Sequence, residues 1–155
     1  MASLADTLRQ LLEAGVALGA AYVLALPLGW ERTKRTTAGV GLRTVPLVSV
    51  GACAYVLISR YLYEQGIYSM DGLARTLRAL MTGIGFIGGG AIVKDVRDVR
   101  GIATGAAVWN TGAIGASIAY GSYVIALVLS LTSLLVLFIS RRLQRYGALP
   151  DDDGA

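Results

Sequence analysis

The sequence has no histidine, a single cysteine (Cys53) and three prolines. Lacking histidine, it has no imidazole for proton shuttling, and one thiol can neither close a disulfide within the chain nor build a Cys/His zinc site. Charge is also scarce. Asp, Glu, Lys and Arg make up 15% of the 155 residues, against ~25% in soluble domains. Within the long apolar stretches there is no carboxylate beyond Glu13 near an edge, and no nucleophile stands beside a base. Hydrolytic catalysis therefore has no candidate residues, and no cofactor is expected. Mg²⁺ takes oxygen ligands, usually one or two carboxylates. It remains a conceivable ligand or cargo here without a carboxylate site deep in the chain to hold it.

Apolar residues fill the space left by charge. They form 55% of the chain, with 20 glycines, and the net charge is +4. The glycines follow no collagen-like period, and glycine is frequent in membrane helices because it lets backbones approach closely. The basic residues flank apolar runs, which points to membrane topology and not to nucleic acid.

Four charge-free intervals organise the chain: Ala14 to Trp30, Thr44 to Ser59, Ala79 to Val93, and the forty residues from Gly101 to Ser140. At 1.5 Å per residue, a ~30 Å hydrocarbon core needs ~20 residues per crossing, so forty residues must cross twice. Gly121 and Ser122, between Tyr120 and Tyr123, supply the break. The reading is an all-α integral membrane protein with five spans, near 11–30, 44–62, 77–93, 102–119 and 123–140, in one domain over 1–145. An acidic tail over 146–155 is expected to be disordered. Leu4, Leu8, Leu11 and Leu12 form an amphipathic lead-in, and Asp6, Arg9 and Glu13 are unlike the basic start of a signal peptide. A soluble bundle would carry charged stripes at helical period, which this chain lacks.

With five spans, the first loop, third loop and C-terminus share a side and hold ten Lys and Arg residues; the opposite side holds Arg9, Arg60, Arg75 and Arg78. The positive-inside rule puts the N-terminus outside and the C-terminus in the cytoplasm.

Several positions invite a functional reading. Gly83 to Gly90 contains G-x-G-x-x-G, but no strand precedes it and no acid follows at the dinucleotide spacing. Gly85 and Gly89 stand at G-x-x-x-G spacing, as do Gly15/Gly19 and Gly101/Gly105, which suits helix packing within the chain or between protomers. An unwound glycine-rich half-helix lining an ion site is the sharper alternative. Asn110, in the run Thr104 to Thr111 with Trp109, either makes an interhelical hydrogen bond or lines a permeation path. Glu31 and Arg43 sit at predicted helix ends, where a Glu–Arg pair would fix the first hairpin. Lys94 to Arg100 alternates sign and forms a hairpin turn on the same side.

Two stretches together resemble the MgtC/SapB (YhiD-like) family of bacterial inner-membrane proteins. One is Gly29-Trp30-Glu31-Arg32 followed by Gly41-Leu42-Arg43-Thr44, Leu47-Val48 and Gly51-Ala52. The other is Ala74-Arg75, Gly83 to Ile92, Val99-Arg100-Gly101-Ile102-Ala103-Thr104 through Trp109, then Ala113-Ile114-Gly115. The likeness covers about 25–121, with Val40 and Ala103 departing from the family pattern. It implies five spans, and the short form of a family whose longer members add a soluble C-terminal domain. It marks Glu31, Arg32, Arg43, Arg75, Gly85, Gly89, Arg100, Thr104, Trp109 and Asn110 as functional or structural candidates.

The resemblance further implies a multi-pass protein of the bacterial cytoplasmic membrane. Its expected role is non-enzymatic, in adaptation to Mg²⁺ limitation and acid stress. It would act by helix contacts with a second copy, a dimer foremost, or with membrane partners such as the ATP synthase. The alternative is an oligomeric Mg²⁺ or proton transporter built around the third span and Asn110.

Overall fold

The computed structural model describes residues 4–33, 41–94 and 99–145. The expected acidic tail, most of the first loop and the centre of the Lys94–Arg100 hairpin lie outside these residues. Five helices follow in order: α1 (Leu4–Thr33), α2 (Thr44–Glu64), α3 (Met70–Gly90), α4 (Ile102–Ala119) and α5 (Tyr123–Arg145). A two-stranded antiparallel ribbon, β1 (Val93–Lys94) and β2 (Val99–Arg100), joins α3 to α4.

Helix limits and charge-free intervals differ in an informative way. α3 begins at Met70, seven residues before the expected span, where Ser69 accepts a hydrogen bond from the Gly72 amide as N-cap. Its first turns carry Asp71, Arg75 and Arg78, so the helix continues past its apolar part. It ends at Gly90 rather than Val93, because Val93 pairs with Arg100 in the ribbon. The leucine-rich lead-in is no separate segment, since α1 runs unbroken from Leu4. Pro27 lies inside α1 and removes one helical donor, a loss tolerated in apolar surroundings when neighbouring groups compensate. The break between α4 and α5 falls at Tyr120 to Ser122, with Gly121 at φ +77°.

α4 is the axle of the bundle and packs against all four other helices. It has no charged residue, and Thr104, Gly105, Ala107, Val108, Thr111, Gly112, Ile114 and Gly115 are buried. Small side chains permit this crowding. Gly88 of α3 faces Gly105 so closely that a methyl on either would lie within 3 Å of the other's carbonyl oxygen. Further along α4, Gly115 abuts the backbone carbonyl of Ser49 in α2. Contact between backbones gains dispersion energy where no hydrophobic driving force separates helix from lipid. α1 presents Ala17, Ala21, Ala25 and Gly29 at four-residue spacing, all buried. α5 presents Ala126, Ser130 and Ser133, and the Ser130 hydroxyl donates to the Leu24 carbonyl of α1 at 2.7 Å.

The outer surface is the reverse. Leu131, Leu135, Phe138 and Ile139 of α5, and Leu47, Tyr55 and Ile58 of α2, are exposed. Apolar surface of this extent on a monomer marks a membrane or protein contact. Three helices, α1, α2 and α5, are long and apolar enough to cross a bilayer. α4 is shielded by the others, so its threonines and asparagine need not face lipid.

Candidate functional site

The ends of α1, α3 and α5 and the starts of α2 and α4 meet at one end of the bundle, where most of the charged candidates gather. The α1–α2 junction is built from two glycines and a threonine. Thr33 donates to the Gly29 carbonyl at 2.9 Å and accepts from the Leu42 amide at 2.7 Å. Gly41 lies directly against Thr33, leaving no room for a side chain. The returning chain is thereby held against the last turn of α1.

Two consecutive charges on that turn point to different helices. Arg32 is 3% exposed, and its guanidinium donates to the Thr104 hydroxyl of α4 at 3.3 Å. A buried guanidinium must be solvated by protein dipoles, so Thr104 ties α1 to the axle helix. Glu31 forms an ion pair with Arg141 of α5 at 3.6 Å. Glu31 thus has a partner on the last helix, while Arg43, the partner considered from sequence, is exposed at the start of α2. Arg142 lies over the Phe138 ring, 5.9 Å from its centroid. Arg100 is exposed in β2, next to Gly101, whose φ of +84° starts α4 in a left-handed conformation. A side chain at Gly101 would also collide with the Ala91 carbonyl.

The remaining candidates lie elsewhere. Arg75 is at the opposite end, exposed, in an ion pair with Asp71 one turn earlier. Also at that end, Ser59 donates to Thr76, and Arg60 donates to the Ala119 carbonyl and lies 3.7 Å from Glu64. Asn110 sits midway along α4 and donates to the Ser133 hydroxyl of α5 at 3.3 Å, the interhelical bond of the simpler reading. Trp109 is 44% exposed and lines a cavity of about 420 Å³ between α3, α4 and the start of α5. Asn110 does not line it.

The glycine-rich stretch of α3 is continuous helix through Gly90, which removes the unwound half-helix as an explanation. Gly88 makes the close contact with α4. Gly85 and Gly89 lie on the exposed side, and a methyl added to either would meet nothing within 4 Å. At 100° per residue they face away from Gly83 and Ile87. Those two residues border a larger groove of about 700 Å³ between α2 and α3, headed by Arg43 and Thr44 and floored by Ala52 and Ile84. Glu31 lines a separate cavity against α5. Neither of these reaches Asn110, so they form no polar path between the mid-helix amide and the charged end. Among the described residues, no three His, Cys, Asp or Glu side chains come together as a metal site.

The buried Arg32–Thr104 bond and the Gly88–Gly105 contact were missed by sequence reasoning as pairs, although Arg32, Thr104 and the glycine-rich stretches were each singled out. Comparison with known proteins supplies the lineage. "Putative magnesium transporter YhiD" of Escherichia coli (strain K12) is 34% identical over 143 residues, covering 90% of this chain and 62% of that protein. "Protein MgtC" of Salmonella typhimurium (strain LT2) is 33% identical over 132 residues, covering 84% of this chain and 54% of that protein. "Protein SrpB" of Synechococcus elongatus is 32% identical over 114 residues, 68% of this chain and 63% of that protein. The chain thus spans between half and two thirds of these relatives. No solved structure matches it. The MgtC family model matches residues 18–146, from the first buried stripe of α1 to the end of α5, and the chain belongs to the MgtC family.

Proposed function

We propose that this chain is a non-enzymatic regulatory protein of the bacterial cytoplasmic membrane, linked to Mg²⁺ limitation, which acts by helix contacts with a second copy or another membrane protein. All five helices cross the bilayer in this reading, with the N-terminus outside and the basic loops in the cytoplasm. α4, at 18 residues, is ~27 Å long, close to the hydrocarbon thickness, and α3, at 21 residues, crosses with its charged first turns at the headgroups.

The observation that carries the proposal is where the polar groups and glycines go. The polar side chains on α4 are spent on packing: Thr104 accepts from Arg32, Asn110 donates to Ser133, and Thr111 returns to the Ala107 carbonyl. Gly85 and Gly89 of α3 are bare. A glycine row with no partner among the described residues is suited to close approach by another helix. The printed name of YhiD supports the link to magnesium, and the resemblance suggests the proton-driven ATP synthase as one partner to examine.

Chemical cross-linking in native membranes tests this. Gly85→Leu with Gly89→Leu puts bulk on an open surface, so the protein folds but loses its cross-linked species and its growth benefit in low Mg²⁺. Unchanged cross-linking and growth in that variant would refute the contact surface.

The second reading is an oligomeric Mg²⁺ or proton transporter. The printed name of YhiD favours it. The bond between Asn110 and Ser133 leaves that amide engaged in packing, where a transporter would need it in a path.

A further inference from the structure

The groove between α2 and α3 has a polarity that the contact surface does not explain. Its walls are apolar or small, with Leu47 and Tyr55 on one rim and Gly83 and Ile87 on the other. Gly51 and Gly83 face open space within it. At one end stands Arg43, exposed and with no ion pair or side-chain hydrogen bond among the described residues. Arg43 is also the N-cap of α2, and its own side chain caps no amide there, so the positive end of the helix dipole lies beside the guanidinium.

We propose that this groove binds one phospholipid of anionic headgroup, its phosphate against Arg43 and the α2 N-terminus and one acyl chain along the groove. The dimensions agree. Arg43 to Tyr55 is twelve residues of helix, or ~18 Å, close to the ~15 Å depth of one leaflet. Arg43 would stand at headgroup level on the face that carries the basic loops, and the chain would end beside Tyr55 near the midplane.

Charge favours a lipid over a second copy. Among the described residues at this end of the bundle the available carboxylate is Glu31, and it faces Arg141. A second copy would bring more arginine than acid to Arg43, whereas a lipid phosphate supplies the missing anion. This inference is independent of the regulatory reading, which depends on the opposite face of α3.

Native mass spectrometry of the full chain in neutral detergent tests it, with equimolar dioleoyl phosphatidylglycerol and dioleoyl phosphatidylcholine offered together. The wild-type protein retains one phosphatidylglycerol per chain, about five-fold or more above phosphatidylcholine, the factor expected for one basic side chain at a charged interface. Arg43→Gln, at an exposed position that leaves the fold intact by circular dichroism, retains the two lipids equally. Arg43→Lys keeps most of the preference, and Gly83→Leu lowers retention of both. Equal retention by the wild type, or a preference that survives Arg43→Gln, overturns the proposal. So does a dimer that Gly83→Leu abolishes while lipid retention stays unchanged, since that outcome gives the groove to a second copy.

Discussion

Glycines in this chain are not equivalent, and the difference lies in what a single methyl would meet. Gly115 rests on the Ser49 carbonyl, while Gly85 faces nothing within 4 Å. Gly115→Val should therefore lower the unfolding free energy by at least ~2 kcal/mol through forced separation of α2 and α4. Gly85→Ala should leave stability unchanged or raise it by up to ~1 kcal/mol, from helix propensity alone. Thermal or denaturant unfolding in detergent, followed by circular dichroism, separates the two; equal effects would mean that the α2–α4 contact is looser than described. A second residue-scale test concerns the buried guanidinium. Thr104→Val keeps the shape but removes one acceptor of Arg32, and should cost ~1.5–3 kcal/mol, the range for hydrogen bonds to charged groups. The same unfolding assay reads it, and a loss below ~0.5 kcal/mol would show that Thr104 does not hold Arg32.

At the scale of helices, much was readable from sequence because charge avoids hydrocarbon. The forty-residue interval required two crossings, and Gly121 marked the break that separates α4 from α5. The start of α3 at Met70 was not readable in the same way, since charge marks the edge of the apolar slab and not the end of a helix. The glycine row was legible only in part, for another reason. Gly85, Gly88 and Gly89 are all consistent with small-residue packing, and which of them meets α4 depends on the rotation of α3 about its axis, which spacing leaves open. Likewise Arg32 and Thr104 are 72 positions apart, and their pairing follows only once α1 and α4 are known to be neighbours. The Asn110–Ser133 bond belongs to this scale as well, as a link between α4 and α5. Asn110→Leu should cost ~0.6–1 kcal/mol, the usual worth of an interhelical hydrogen bond in a membrane protein, and leave growth in low Mg²⁺ unaffected. A folded Asn110→Leu protein that fails to support growth would restore the amide to a functional role.

For the whole molecule, the arrangement is one of inward economy and outward exposure. Thr104, Asn110 and Ser130 bond to neighbouring helices, small residues let those helices close on one another, and the outer surface is left apolar with two open features on opposite sides of α3. In the proposed reading such a chain touches other molecules in the bilayer and conducts no ion alone. Ion flux through the purified chain in liposomes measures this most directly, with Mg²⁺ and H⁺ followed by entrapped indicator dyes under an imposed gradient. The account predicts flux indistinguishable from empty liposomes for both ions. Mg²⁺ or H⁺ entry at transporter-like rates that depends on the folded protein would contradict it.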